Sequence, residues 1–189
     1  EPYEKAFQLT IKLFDDNINF GMYINKEFYC NWHMCNTHST IQLDFIKKNP
    51  KLPWGWYTIS QHPSVSWGFI SSNLDMGWIW DAVSQNPNIT LDIVLNNPQH
   101  RWSWNSLSAN KNITWDIVQQ NPHLSWNYKG LSRNPNITCD VILNNPDENW
   151  DWHLLSKHPN ITWDLVKKLT NKEWSFEELI YHPNITCDI

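Results

Sequence analysis

Basic charge is scarce in this sequence. Lys and Arg number 14 against 19 acidic residues, a net charge of −5. No broad cationic face can be assembled from that supply, which argues against nucleic acid or an anionic membrane surface as partner. Long apolar runs are missing as well: none approaches the ~20 residues of a spanning helix, and no stretch has the order of a signal peptide. Five glycines leave little material for a phosphate-cradling loop. Four cysteines, at positions 30, 35, 139 and 187, form no paired framework and suit a reducing interior better than a disulfide scaffold. The chain opens on Glu1 and stops at Ile189 inside a motif, so both ends are expected to be cut.

What the sequence has in excess is Trp, 14 residues, with 11 Pro and many Asn. Such a composition would suggest loop or disorder if the Trp residues were not regularly placed. They recur with a fixed period. One column runs Leu43, Trp67, Leu91, Trp115, Cys139, Trp163 and Cys187, in steps of 24 residues. A second runs Trp54, Trp78, Trp102, Trp126, Trp150 and Trp174, and a third, two residues on, runs Trp32, Trp56, Trp80, Trp104, Tyr128, Trp152 and Phe176. Three columns in one register define a repeat array.

Each period holds two helix starts. In Ile113-Thr-Trp-Asp-Ile-Val118, Thr114 suits an N-cap, Asp116 sets a carboxylate against the helix dipole, and Ile113 can staple to Val118. The same grammar gives caps at Ser66, Thr90, Thr138, Thr162 and Thr186, and staples such as Ile137 with Ile142. The other start reads Trp102, cap Ser103, Trp104 and then Leu107 as staple partner, with Leu131 and Leu155 in equivalent places. Its cap column is Asn31, Gly55, Ile79, Ser103, Asn127, Asp151 and Ser175. Pro with a preceding Asn or His ends each helix after about two turns. Helices so short must be buried by their neighbours. The expected fold is therefore all-α, an α-solenoid of about six and a half repeats with nearest-neighbour stability. Trp54, Trp78, Trp102, Trp126, Trp150 and Trp174 belong to its core with Leu107, Leu131, Leu155, Ile113, Val118, Ile137 and Ile142.

Residues 1–16 lie outside the register. Phe7, Leu9, Ile11 and Leu13 alternate as in a strand, while Phe7, Ile11 and Phe14 also fit a helix face, so both types stand. They are read as a cap or the tail of a preceding domain, and 17–189 as the array, with Asn17 opening a degenerate half-repeat and a truncated C-terminal end.

The run Leu107-Ser-Ala-Asn-Lys-Asn-Ile-Thr-Trp-Asp-Ile-Val-Gln-Gln-Asn-Pro122 resembles the leucine-rich variant repeat, whose 24-residue unit ends in Asn-Pro. That likeness covers residues 31–189 and implies a right-handed solenoid of alternating α and 3₁₀ helices. Asn88 to Pro98 and Asn160 to Val166 resemble more closely the Asn- and Trp-rich repeat proteins of giant DNA viruses of protists. This implies a viral origin and a place in infected host cytoplasm or in the virion, not a secreted one. It implies no mechanism.

Several residue sets invite a chemical reading. Cys30, His33, Cys35 and His38 have zinc-like spacing, but both Cys fall in apolar columns, so no metal is expected. Asn-Ile-Thr sequons begin at Asn88, Asn112, Asn136, Asn160 and Asn184; their Thr are already N-caps and their Asn turn residues. Asp44, Asp92, Asp116, Asp140, Asp164 and Asp188 are a whole repeat apart and explained by the dipole. No nucleophile with a base, phosphate loop or metal dyad is evident, so the chain is expected to be non-enzymatic and without cofactor. Trp56, Trp80, Trp104, Tyr128 and Trp152 stand at the first helical position and are the candidate binding residues, for carbohydrate if they are exposed. The expected role is a scaffold for a protein partner of unknown identity. A virion structural role, held by contacts with other virion proteins, is the alternative, and carbohydrate binding along the third column a second one.

Overall fold

The computed structural model describes residues 43–48, 50 and 54–185. The N-terminal segment, the Cys30 to His38 motif, Lys51 and Leu52, Thr186 and Cys187 lie outside the described residues. Among those described, the secondary structure is helical throughout, with no strand. The chain divides into two compact units, Glu1–Trp78 and Ile79–Ile189.

The described part of the first unit holds α1 (Leu43–Lys48), α2 (Trp56–Ser60) and α3 (Trp67–Ser71). Ser66 caps α3 by accepting from the Phe69 N–H, whereas Gly55 before α2 offers no side-chain cap. Trp54, Ile59, Val65, Ile70 and Trp78 are buried. Trp56 and Phe69 both meet Trp78 edge to face, at centroid distances of 5.3 and 6.0 Å. Gly77 lies against the Trp56 ring, and a Cβ there would come within 2.6 Å of the indole.

The second unit alternates two helix classes. One comprises α4 (Trp80–Gln85), α6 (Trp104–Ser108), α8 (Tyr128–Leu131), α10 (Trp152–Leu155) and α12 (Phe176–Ile180). The other comprises α5 (Leu91–Asn96), α7 (Trp115–Gln120), α9 (Cys139–Asn144) and α11 (Trp163–Lys168). Both classes are α-helical, in place of the α and 3₁₀ alternation implied by the leucine-rich variant repeat. Their first carbonyls accept from residues four along, as in Leu131 N–H to Asn127 and Ser132 N–H to Tyr128.

The starts follow from the capping residues. Thr90, Ser103, Thr114, Thr138 and Thr162 each accept from the N–H three residues on, as do Asn127 and Asp151. Ile79 and Ser175 do not, so α4 and α12 begin without a side-chain cap. The stops have an equally local cause. Pro98 has no N–H to continue α5, and the Asn97 N–H already turns back to Val94, three residues away. That leaves the Ile93 carbonyl without its usual partner, and the Asn97 side-chain amide donates to it at 2.8 Å. Asn121 and Asn145 do the same for α7 and α9. Asn97, Asn121 and Asn145, each followed by Pro, are thus C-caps.

Apolar packing runs across repeats. Ile113, Val118, Leu131, Ile137, Ile142, Leu155, Ile161 and Val166 form one buried cluster with Trp150 and Trp174. Gly130 sits where α8 comes closest to α6, and a Cβ there would collide with the Asn105 carbonyl oxygen. Glycine is used here for close approach.

Candidate functional site

The aromatic columns are built as interlocked pairs. The staple Trp of each repeat donates its indole N–H to the carbonyl that closes the preceding helix: Trp102 to Asn97, Trp126 to Asn121, Trp150 to Asn145 and Trp174 to Leu169, each at 2.8 Å. The same Trp receives, edge to face, the third-column ring of the repeat before it. Trp80 meets Trp102 at 5.2 Å, Trp104 meets Trp126 at 5.3 Å, Tyr128 meets Trp150 at 5.3 Å and Trp152 meets Trp174 at 4.9 Å. These are favourable quadrupole geometries. Trp150 and Trp174 are buried, while Trp102 and Trp126, assigned to the core from sequence, are only half-buried.

Trp56, Trp80, Trp104, Tyr128 and Trp152 are also half-buried. A second contact covers several of them. A tight turn, in which the Trp102 N–H bonds the His100 carbonyl, folds His100 back over the previous repeat. His100 stacks on Trp80 at 4.4 Å and 13°. In the equivalent places Lys172 lies over the Trp152 ring, its Nζ 5.6 Å from the centroid, and Glu148 stands near the Tyr128 phenol. Burial, reinforced by Glu148, holds that phenol above its usual range. Lys172 also pairs with Asp147 at 3.0 Å. Of the rings foreseen as contact residues, Trp80 and Trp152 therefore have neighbours on edge and face from within the chain.

Polar side chains inside the second unit make three further columns, and all three span repeats. Asn110, buried, donates through Nδ2 to the Ser84 and Asn86 carbonyls at 2.9 and 3.0 Å, and its Oδ1 accepts from the Asn112 N–H. Asn134 repeats this toward Ser108, Asn110 and Ile113. In the next two repeats a histidine takes the place: His158 to the Asn134 carbonyl at 2.9 Å and His182 to the His158 carbonyl at 3.0 Å. The second column is the sequon Asn. Asn112 donates to Pro87 and Ile89, Asn136 to Lys111 and Ile113, and Asn160 to Pro135 and Ile137. Both amide hydrogens of each are thus engaged with the preceding repeat, which leaves none for a glycan without breaking the clasp.

The third column is serine. Ser84, Ser132 and Ser156 are fully buried and donate to the carbonyl four residues back. With Ser108 they accept the backbone N–H of the following repeat's N-cap residue: Ser103 to Ser84, Asn127 to Ser108, Asp151 to Ser132 and Ser175 to Ser156, all at 2.9 Å. The hydroxyls of Ser84, Ser132 and Ser156 are thus tied on both sides. Sequence reasoning missed these clasps, although a serine every 24 residues among Val, Leu and Ile staple partners is a legible signal. The apolar staple accounted for its neighbours and drew attention from it.

Other charged groups are local. Asp81 accepts from Ser106 at 2.7 Å, and that bond, with help from Ser103 and Gln85, holds its carboxyl below the usual range against a smaller effect of burial. Lys167, three residues along the helix from exposed Asp164, pairs with it at 2.8 Å and holds its carboxyl below the usual range. Glu178 faces Lys157 at 2.9 Å and His153 at 3.9 Å. Among the described residues no group of three or more His, Cys, Asp or Glu is placed to hold a metal, and no helix is long and apolar enough to cross a membrane. The Asp column is exposed at Asp92, Asp116, Asp140 and Asp164. No protein-family model matches the chain, and neither a curated protein nor a solved structure matches it.

Proposed function

We propose that this chain is a non-enzymatic α-solenoid that presents the turn before each staple Trp to a protein partner. The observation that carries the reading is a division of labour within the period. Residues that recur every 24 positions are spent on joining repeats. The residues that differ between repeats are displayed: Gln99 and Arg101, His123 and Ser125, Asp147 and Asn149, and Asn171 and Glu173 are exposed, while the residue between each pair folds inward. Side chains facing solvent at fixed intervals on a self-supporting frame suit recognition of an extended protein surface. The mixed signs of these residues fit a protein better than a polyanion. The clasps at 23 to 26 residues' separation support a solenoid, since each repeat is joined to the one before it.

The test is affinity capture from infected cells, in the viral setting that the sequence likeness implies. The bait is the wild-type chain beside a variant with Arg101, His123, Asp147 and Asn149 all replaced by Ser. A protein recovered in stoichiometric amount with the wild type and lost with the variant supports the scaffold. A protein held equally by both places binding elsewhere and overturns the assignment of this surface. Abundance in purified particles without such a protein favours the structural alternative.

A further inference from the structure

We propose that His158 makes the coupling of the C-terminal repeats acid-sensitive, within a ladder whose Asn110 and Asn134 rungs are indifferent to pH. The argument is geometric. The His158 ring lies between a carbonyl and an N–H: Nε2 is 2.9 Å from the Asn134 carbonyl oxygen, which can only accept, and Nδ1 is 3.2 Å from the Asn160 N–H, which can only donate. These two partners fix a neutral ring with its proton on Nε2. His182 is held identically, between the His158 carbonyl at 3.0 Å and the Asn184 N–H at 3.2 Å. The histidine thus copies the asparagine of the earlier rungs, with Nδ1 standing for Oδ1 and Nε2–H for the amide.

The copy differs in one respect. Asparagine does not titrate, whereas a proton added to Nδ1 would face the Asn160 or Asn184 N–H and replace an acceptor by a second donor. It would also set a charge in a buried place, since His158 and His182 are 3 and 6 % exposed. Burial holds His158 below the usual histidine range against a smaller opposite pull from the Asn134 carbonyl, with a lesser contribution from His182 one repeat along. The charged side chains on the elements around them point outward. Lys129, Arg133, His153, Lys157 and Glu177 are exposed, and half-buried Glu178 is turned to Lys157 and His153.

The sign follows directly. A histidine neutral in the folded repeat and free to protonate once the repeat opens binds more protons in the open state. The contribution to stability is complete above the ordinary value near 6.5 and is lost as the pH falls below it. His158 raises the opening constant by up to about tenfold per pH unit in that window.

Native-state hydrogen exchange, corrected for intrinsic rates, tests this on the whole chain. The reporter is the Asn160 amide, bonded to the His158 ring, and the references are the Asn112 and Asn136 amides, bonded to Asn110 and Asn134. Between pH 7 and 5.5 protection of the Asn160 amide should fall by about five- to tenfold while that of the Asn112 and Asn136 amides stays within about twofold. The variant H158N should fold, because Asn fills this place in the repeats before, and should show no such fall. Equal pH dependence in wild type and variant, or none in the wild type, overturns the proposal.

Discussion

Asn110 offers the sharpest test of the clasps, because its three hydrogen bonds can be removed in steps. It is 3 % exposed; its amide serves two carbonyls of the preceding repeat and its oxygen serves the Asn112 N–H. Replacement by Ala leaves all three groups without that partner. A net loss near 1 kcal/mol for each bond predicts a cost of about 3 kcal/mol. Replacement by His keeps the acceptor and one donor, as His158 does, and should cost about 1 kcal/mol. Replacement by Asp keeps the shape but turns an acceptor toward two carbonyl oxygens, so it should cost more than Ala at pH 7. Its carboxyl would be held protonated, above the unfolded value near 3.9, so the penalty should shrink as the pH falls. Urea unfolding followed by Trp fluorescence gives the order His, then Ala, then Asp, with increasing loss. Asp no worse than Ala, or Ala equal to wild type, would refute the reasoning.

Other perturbations act on separate parts of the period. Thr114→Ala removes the bond from the Ile117 N–H to the cap and should cost about 1 kcal/mol by the same assay. Gly130→Ala gains about 1 kcal/mol in helix propensity, yet it meets the Asn105 carbonyl, and overpacking of about 1–3 kcal/mol should leave it less stable than wild type. Trp150→Ala should cost about 3–5 kcal/mol, and Trp102→Ala less, because Trp150 is buried and Trp102 half-buried. A neutral Trp150→Ala in thermal melts would reverse the assignment of inside and outside.

The period, the helix starts and most of the apolar interior were legible in the residues, because each follows from local chemistry. Thr114 can cap only what begins at Trp115, and Ile113 and Val118 bracket it. Two things were not legible. The half-exposure of Trp102 and Trp126 depends on how far the turn between Pro and Trp covers the ring, and that turn varies from repeat to repeat. The roles of Ser84 and Asn110 depend on partners 19 to 26 residues away, and a periodicity shows only that a place is constant, not which carbonyl lies across from it. The histidines of the same column looked like helix-end residues for that reason. The third aromatic column was legible as a first helical position, but its covering by His100 and Lys172 needed the next repeat in place.

The central claim is that buried polar side chains hold each repeat of the second unit to the one before it. Hydrogen-bond scalar couplings measured by NMR on uniformly labelled protein observe such bonds directly. The account predicts couplings from the Asn110 side-chain nitrogen to the carbonyl carbons of Ser84 and Asn86, and from that of Asn112 to Pro87 and Ile89. Side-chain amides that exchange freely with water, or couplings to carbonyls in another register, would contradict it.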